Sequence, residues 1–334
     1  MEKKNYYKKN KEKNKDRQVV KILFFGSNFV SKIYLENLHK NNYKIFVVTT
    51  PDAPSFKRQH KFLHPVKIYA KKNNIDFIQI KNFDQDIINI IKKIDFDIGI
   101  VVSYGKLIPK SVFNLPKNGT FNIHFSLLPK YRGASPVQYA LINGDIETGV
   151  TSLYVDDGLD TGDILLQEKL KIYKNDNAEI LFNKLIPLGI KIMNKTINLF
   201  QKKNVNIKSQ TGKISFAPIL KKNTGLINWS RNANDIYNQF RGLYIWPGIY
   251  SIISYGKLVG KRIKFINIEI FENKSLNRDF GRVFSIEKNK GFTVLCSRGK
   301  ILVLEVQLEG KLIMSAWLFI QSKLLLVGDV FRSK

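Results

Sequence analysis

From Phe121 to Gly133 the chain reads Phe-Asn-Ile-His-Phe-Ser-Leu-Leu-Pro-Lys-Tyr-Arg-Gly, and the expected fold is built outward from this stretch. Apolar and polar residues alternate as far as Ser126, which is typical of a β-strand. The alternation places Asn122 and His124 on one face of that strand. Open α/β sheets bind ligands beyond the carboxyl ends of their strands. The stretch therefore predicts a functional site where this strand ends.

Predicted strands and helices alternate on both sides of this stretch. Strands are expected at 19–25, 44–49, 75–80, 96–102, 150–155 and 164–170. Helices are expected at 29–39, 65–72, 84–93, 136–143 and 178–200. This alternation predicts an α/β fold with a Rossmann-like, doubly wound, mostly parallel sheet.

The first predicted turn does not have the glycines of a dinucleotide site. Its sequence, Gly26-Ser27-Asn28-Phe29, has one Gly where the dinucleotide fingerprint needs three. The chain also lacks the Gly-Lys-Ser/Thr of a phosphate-binding loop. We therefore do not expect a nicotinamide cofactor.

The rest of the chain has a different pattern, with short apolar stretches separated by glycine turns. This pattern predicts a small all-β barrel of the oligonucleotide-binding (OB-like) kind after the α/β part. The expected organisation is a disordered basic tail at 1–17, a catalytic domain at 18–203, a linker at 204–217 and an OB-like RNA-binding domain at 218–334. From residue 208 onward, 21 Lys and Arg stand against 8 Asp and Glu. A basic barrel joined to an α/β domain fits a nucleic-acid substrate.

Composition narrows the class of protein further. The 334 residues carry a formal net charge of +28, which favours contact with nucleic acid phosphates. The alternative is compositional, because Lys accumulates without a function in the Lys-, Asn- and Ile-rich proteins of AT-rich genomes. Cys296 is the single Cys, so we expect a buried, inert thiol, no intrachain disulfide and no structural zinc. No apolar run is long enough to cross a bilayer.

Three polar residues are the candidates for catalysis. Asn122 and His124 end the strand of the opening stretch, and Asp160 lies in the turn Gly158-Leu159-Asp160-Thr161-Gly162-Asp163. An amide, an imidazole and a carboxylate can together move protons and stabilise an oxyanion. Judged by spacing alone, a structural Asn–His pair and an ordinary turn Asp are the more common interpretation.

The exact residue sequence of these stretches distinguishes the catalytic from the structural interpretation. Asn122-x-His124, the Ser-Leu-Leu-Pro that follows, Tyr-Arg-Gly-Ala, Glu-Thr-Gly-Val and Gly-Leu-Asp-Thr-Gly-Asp together resemble the folate-dependent formyltransferases. The resemblance runs from about Val20 to near the carboxyl terminus and is denser in the first half. It implies transfer of a formyl group from 10-formyltetrahydrofolate, without a metal, by Asn122, His124 and Asp160. The resemblance is closest to the enzymes that act on methionyl initiator tRNA.

The resemblance also implies binding residues. The folate co-substrate is expected at Ser126, Leu127, Leu128, Pro129, Ser103, Tyr104 and Gly105. The tRNA is expected at Lys57 and Arg58 of the basic loop 51–64, whose wording departs from the family's, and at Arg132. Trp246 is expected to pack against other residues rather than to stack on a base.

Two alternatives remain open from the sequence. One keeps formyl transfer but changes the acceptor to a sugar nucleotide or glycinamide ribonucleotide. The other is a catalytically inactive RNA-binding protein on the same scaffold. We expect a monomer without membrane contact, in the bacterial cytoplasm or, as the alternative, an organelle matrix.

Overall fold

The computed structural model describes residues 19–52 and 64–332. The predicted tail at 1–17 and the predicted tRNA contacts Lys57 and Arg58 lie outside the described residues. Two compact units are formed, and each is described by itself. The first unit comprises 19–52, 64–124, 151–167 and 189–210, and the second comprises 125–150, 168–188 and 211–332. The domain boundaries expected from the sequence remain a prediction.

The predicted α/β sheet is confirmed. Its strands in the described part of the chain are β1 (Lys21–Phe25), β2 (Lys44–Thr49), β3 (Asp76–Gln79), β4 (Ile98–Val101), β5 (Thr120–His124), β6 (Glu147–Tyr154) and β7 (Ile164–Lys171). Their order in the sheet is β3-β2-β1-β4-β5-β6-β7. Strands β1 to β5 are parallel to their neighbours, and β6 runs antiparallel to β5. The carboxyl ends of the parallel strands therefore lie at one edge, where the sequence predicted the site.

Helices connect these strands. They are α1 (Phe29–Lys40), α2 (Pro65–Lys72), α3 (Gln85–Lys92), α4 (Lys110–Phe113), α5 (Pro136–Ile142) and α6 (Ala178–Gln201). Asn28 begins α1, because its side chain accepts a hydrogen bond from the Ser31 backbone N–H at 3.1 Å. The Ser31 hydroxyl also donates to the Val102 carbonyl at 2.6 Å, and this bond fixes the start of α1 to the end of β4.

The apolar face of β5 packs into the core of the first unit. Phe121 and Ile123 are buried, and the Phe121 ring lies 5.9 Å from the ring of Phe200. Successive side chains of a strand point to opposite faces, so Asn122 and His124 point away from this packing. The alternation read from the sequence thus has its expected structural effect.

The later part of the chain forms an antiparallel sheet, as predicted. Its strands are β8 (Ile249–Tyr255), β9 (Arg262–Leu276), β10 (Val283–Glu287), β11 (Gly291–Leu295), β12 (Arg298–Leu308), β13 (Met314–Ser315) and β14 (Val330–Phe331), with helices α7 (Ala233–Gly242) and α8 (Ala316–Gln321). The order is β10-β11-β12-β9-β8-β14, and a bridge between Arg282 and Val330 joins the two ends. The sheet therefore closes on itself. With 15 and 11 residues, β9 and β12 are longer than the short strands expected.

Aromatic rings fill the closed sheet. Trp229 is fully buried, and its ring centroid lies 5.8 Å from that of Phe331 and 5.6 Å from that of Phe265. Cys296 is also buried, as predicted, and burial raises the pKa of its thiol to about 12. Trp246 is 48% exposed, and the packing role expected for it stays a prediction.

Candidate active site

Two of the candidate catalytic side chains stand at the carboxyl end of β5. Asn122 lies in register with Val101 of β4 and with Leu153 of β6, and His124 is paired with Thr151. The His124 residue is 5% exposed and Asn122 is half-buried. The backbone of Asn122 is therefore paired on both sides, and that of His124 is paired with β6.

Asp160 meets both of these side chains. Its Oδ1 accepts a hydrogen bond from Nδ2 of Asn122 at 3.2 Å, and its Oδ2 lies 3.5 Å from Nδ1 of His124. The His124 and Asp160 side chains are only 6% and 12% exposed. The three residues named from the sequence thus form one polar cluster, although Asp160 lies 38 residues after Asn122 in the chain. Their catalytic role remains a prediction.

The loop that carries Asp160 is held in an unusual backbone conformation. Asp160 has a φ of 53°, a left-handed value that is uncommon for residues other than Gly. Within the loop, Oδ1 of Asp156 accepts from the Gly158 N–H at 3.1 Å and from the Thr161 hydroxyl at 2.7 Å. These bonds stabilise a turn that aims the Asp160 carboxylate at β5.

Gly162 is required by the close approach of another strand. A Cβ added there would lie 1.9 Å from the carbonyl oxygen of Tyr154, which is fixed in β6. The glycine after Asp160 therefore has a packing reason that motif spacing alone does not reveal.

Gln210 is a residue that the sequence reasoning missed. Its side-chain N–H₂ donates to the carbonyl of Asp160 and to that of Gly162, both at 2.8 Å. Gln210 lies in a polar Lys- and Asn-rich stretch that was interpreted as a linker. In the structure Lys208 of that stretch pairs with Ile164, so the stretch is hydrogen-bonded along part of its length. No local sequence signal marks Gln210.

A cavity of about 320 Å³ opens beside Asn122 and Asp160. Its apolar wall includes Val101, Ile108 and Leu153. Two lysines, Lys106 and Lys110, complete the wall together with residues of the 153–160 segment. An apolar cleft with a few polar groups at one end is the usual form of a small-molecule site.

The predicted folate residues of the first unit immediately precede this cavity wall. Ser103 has a φ of 47° and Gly105 a φ of 75°, so the chain turns sharply before Lys106. Tyr104 is 3% exposed, and its ring packs at 5.6 Å from the ring of Phe25. Burial raises the pKa of the Tyr104 phenol, and within the described part of the chain its hydroxyl has no hydrogen-bond partner. Folate contact by these residues remains a prediction.

The predicted binding residues of the second unit lie in a closely bonded loop. Ser126 is buried and its hydroxyl donates to the Lys130 carbonyl at 2.6 Å. Leu128 and Pro129 are buried, and Leu127 is partly exposed. The backbone of Arg132 pairs with residues 215–217.

Among the described residues, no group of three or more His, Cys, Asp or Glu is arranged so as to hold a metal ion. None of the helices described has the length and apolar character needed to cross a membrane.

Comparison with protein families gives two matches that cover most of the chain. Residues 19–197 match the model of formyl transferase, and residues 219–324 match the model of the formyl transferase C-terminal domain. A methionyl-tRNA formyltransferase of Endomicrobium trichonymphae is 58% identical over 93% of this chain and 100% of its own length. A methionyl-tRNA formyltransferase of Thermodesulfovibrio yellowstonii is 39% identical over 90% of this chain and 96% of its own length.

Solved structures share the fold. An N-formyltransferase of Helicobacter canadensis, in complex with folinic acid and dTDP-3-aminofucose, aligns with a TM-score of 0.64 at 23% identity, over 85% of this chain and 99% of that one. HypX of Aquifex aeolicus, in complex with tetrahydrofolic acid, aligns with a TM-score of 0.60 at 13% identity, over 94% of this chain and 51% of that one.

Proposed function

We propose that this chain, which belongs to the formyl transferase family, transfers the formyl group of 10-formyltetrahydrofolate to the α-amine of methionyl initiator tRNA. The proposal is supported by relatives of that activity that match it over nearly their whole length. The single observation that carries the chemistry is the convergence of Asn122, His124 and Asp160 beside a cavity.

The first step is attack of the neutral amine on the formyl carbon. A C–N bond forms and the carbonyl oxygen becomes an oxyanion. One N–H of the Asn122 amide is used by Asp160, and the second is available for the oxyanion. Such a donor typically lowers the barrier by about 3 kcal/mol.

The second step moves a proton from the attacking nitrogen to N10 of the folate, and the bond between N10 and the formyl carbon breaks. The Asp160 carboxylate next to Nδ1 favours the His124 tautomer that carries its proton there, which makes Nε2 the basic atom. His124 can then relay the proton, and Asp160 either orients the ring or accepts the proton directly. Both routes use the same cluster.

The co-substrate is assigned to the cavity beside the cluster. A pterin is planar and largely uncharged, which suits the apolar wall that includes Val101 and Ile108. Lys106 and Lys110 give the same wall two cations for the carboxylates of the folate's glutamate end. The backbone at Ser126 to Pro129 and at Ser103 to Gly105 is proposed to complete the site.

The RNA is proposed to bind through the basic surface of the chain. Phosphate contacts supply most of the affinity in such complexes, and the net charge of +28 fits them. Lys57 and Arg58 of the basic loop, with Arg132, are the proposed contacts. We also propose that the protein acts as a monomer in the bacterial cytoplasm.

The decisive experiment incubates the protein with labelled 10-formyltetrahydrofolate and charged initiator tRNA. Charged elongator tRNA, glycinamide ribonucleotide and a dTDP-amino sugar serve as competing acceptors. We expect label on methionyl initiator tRNA in preference to the others. Label on the sugar or the ribonucleotide would reassign the acceptor, and label on none of them would favour an inactive RNA-binding protein.

A further inference from the structure

Residues 214–218, here called the 214–218 segment, are paired by their backbone with the loop that follows β5. The Arg132 N–H donates to the Ser215 carbonyl at 2.9 Å, and the Ala217 N–H donates to the Arg132 carbonyl at 2.8 Å. The Ser135 N–H donates to the Ala217 carbonyl at 3.1 Å. This is a parallel bridge between Arg132 and Phe216, within the second unit. The backbone of the segment is therefore fixed.

Side chains fix the same pairing. The Ser215 hydroxyl accepts from the Tyr131 N–H at 2.9 Å, and Tyr131 has a φ of 63°. Gly133 has a φ of 116°, and a Cβ added there would lie 2.8 Å from the Ala217 carbonyl oxygen. The approach of the two segments thus depends on a glycine at position 133.

The 214–218 segment presents its apolar residues to solvent. Ile214 is 50% exposed and Phe216 is 65% exposed, whereas Ala217 is fully buried. A fixed backbone with an outward phenyl ring reverses the usual pattern of polar residues facing water. An exposed apolar side chain alone is ordinary, but one on a rigid segment can act as a binding platform.

The surroundings of Phe216 favour an anionic partner with planar groups. Arg132 and Phe216 are partners in a parallel bridge, and residues in register on paired strands carry their side chains on the same face. Lys213, Lys221 and Lys222, close by in sequence, are exposed. Aromatic rings next to cations bind single-stranded nucleic acid, because bases stack on the ring and phosphates meet the cations.

We propose that Phe216 stacks on an unpaired nucleotide at the 3′ end of the RNA substrate, with Arg132 next to it on the same face. The inference rests on the proposed function and adds the part of the substrate that this surface holds. Phe216 is then a binding residue for the RNA and does not contact the reacting atoms.

The test compares Phe216→Ala, Phe216→Tyr and, as a matched control, Tyr255→Ala, because Tyr255 is 66% exposed in the same unit. The substrates are methionine esterified to adenosine, to a 3′-terminal trinucleotide, and to full tRNA. A stacked base contributes about 1–3 kcal/mol, which corresponds to about 5- to 150-fold. We therefore expect Phe216→Ala to raise KM for the trinucleotide and tRNA at least about fivefold, with kcat unchanged.

Phe216→Tyr should restore the wild-type KM, since a phenol ring stacks equally well, and Tyr255→Ala should leave all values unchanged. Wild-type KM in Phe216→Ala would overturn the proposal. Fluorescence anisotropy of a labelled, uncharged trinucleotide measures the same contact without turnover. A wild-type protein that formylates none of the substrates would refute the proposed function, while anisotropy would still decide the role of Phe216.

Discussion

The polar cluster is held together by contacts between its own side chains, those of Asn122, His124 and Asp160. Phe216, by contrast, is held through the backbone bonds of its neighbours Ser215 and Ala217, and its ring is exposed to water. The first arrangement suits a reaction, because polar groups must have one fixed geometry before charge develops. The second suits a flexible partner, because an exposed ring accepts any base. The two regions therefore predict different kinetic effects: changes in the polar cluster alter kcat, and changes in the RNA-binding surface alter KM and its salt dependence.

The largest effect is expected for Asp160→Asn. This change keeps the size of the side chain but removes the negative charge that faces Nδ1 of His124 at 3.5 Å. We expect kcat to fall by about a hundred- to ten-thousandfold with little change in KM for the RNA. Asp95→Asn, outside the cavity wall, is the control, because the Asp95 side chain is 62% exposed. A variant that keeps wild-type kcat would remove Asp160 from the mechanism.

Asn122→Ala tests the proposed oxyanion donor. Loss of the amide should lower kcat about a hundredfold, measured under saturating co-substrate. The matched control is Asn118→Ala, where an exposed amide donates to the Asp97 carbonyl. Equal kcat in the two variants would remove the Asn122 amide from the mechanism.

A smaller effect is expected for Gly162→Ala. The added Cβ must move the loop away from the Tyr154 carbonyl, and Asp160 moves with it. A displacement of about 1 Å can cost up to a hundredfold in rate, so we expect kcat to fall ten- to about a hundredfold. Ile90→Ala in α3, outside the cavity wall and at a residue 44% exposed, is the control. Unchanged kcat would show that the loop adapts without moving the carboxylate.

Gln210→Ala removes two hydrogen bonds from the back of the same loop. Each such bond is worth about 1 kcal/mol, and only part of that loss is expected to reach the transition state. We expect kcat to fall about three- to tenfold, and Gln210→Glu, which cannot donate to the carbonyls, to behave like the Ala variant. If Gln210→Glu retains full activity, the two bonds do not position Asp160.

The smallest effect per substitution is expected for the double change of Lys57 and Arg58 to Gln. Each lost phosphate contact lowers the slope of log KM against log salt by about 0.7 to 0.9. We expect a flatter slope and a KM raised a few-fold at low salt, with kcat unchanged. The double change of Lys71 and Lys72 to Gln, at the exposed end of α2, is the charge-matched control. Equal slopes in both double variants would assign the effect to total charge.

The sequence predicted the parallel sheet and the closed antiparallel sheet because both depend on local periodicity. It also placed Asn122 and His124 on one face, since alternation along β5 decides that. Proximity of Asp160 to them does not follow from spacing, because it depends on how β6 returns beside β5. That residue was identified through the wording of its turn.

The residues that were missed make contacts distant in sequence. Gln210 donates a hydrogen bond to Asp160, 50 residues earlier in the chain. Phe216 pairs with Arg132, and the adjacent pair Tyr131 and Ser215 is separated by 84 residues. Local pattern thus predicts elements and faces, and tertiary pairing decides which side chains meet.

The bridge between Arg282 and Val330 makes β14, the last strand described, part of the closed second sheet. Val330 and Phe331 form β14, which is hydrogen-bonded to β8. The Phe331 ring also stacks on Trp229 in the aromatic core of the sheet. A chain shortened to Gly328 would leave β8 and β10 with unpaired edges and Trp229 without its stacked ring. Exposed edges of this kind promote edge-to-edge self-association. A deletion that removes β14 is therefore expected to lower the stability of the second sheet and to promote aggregation.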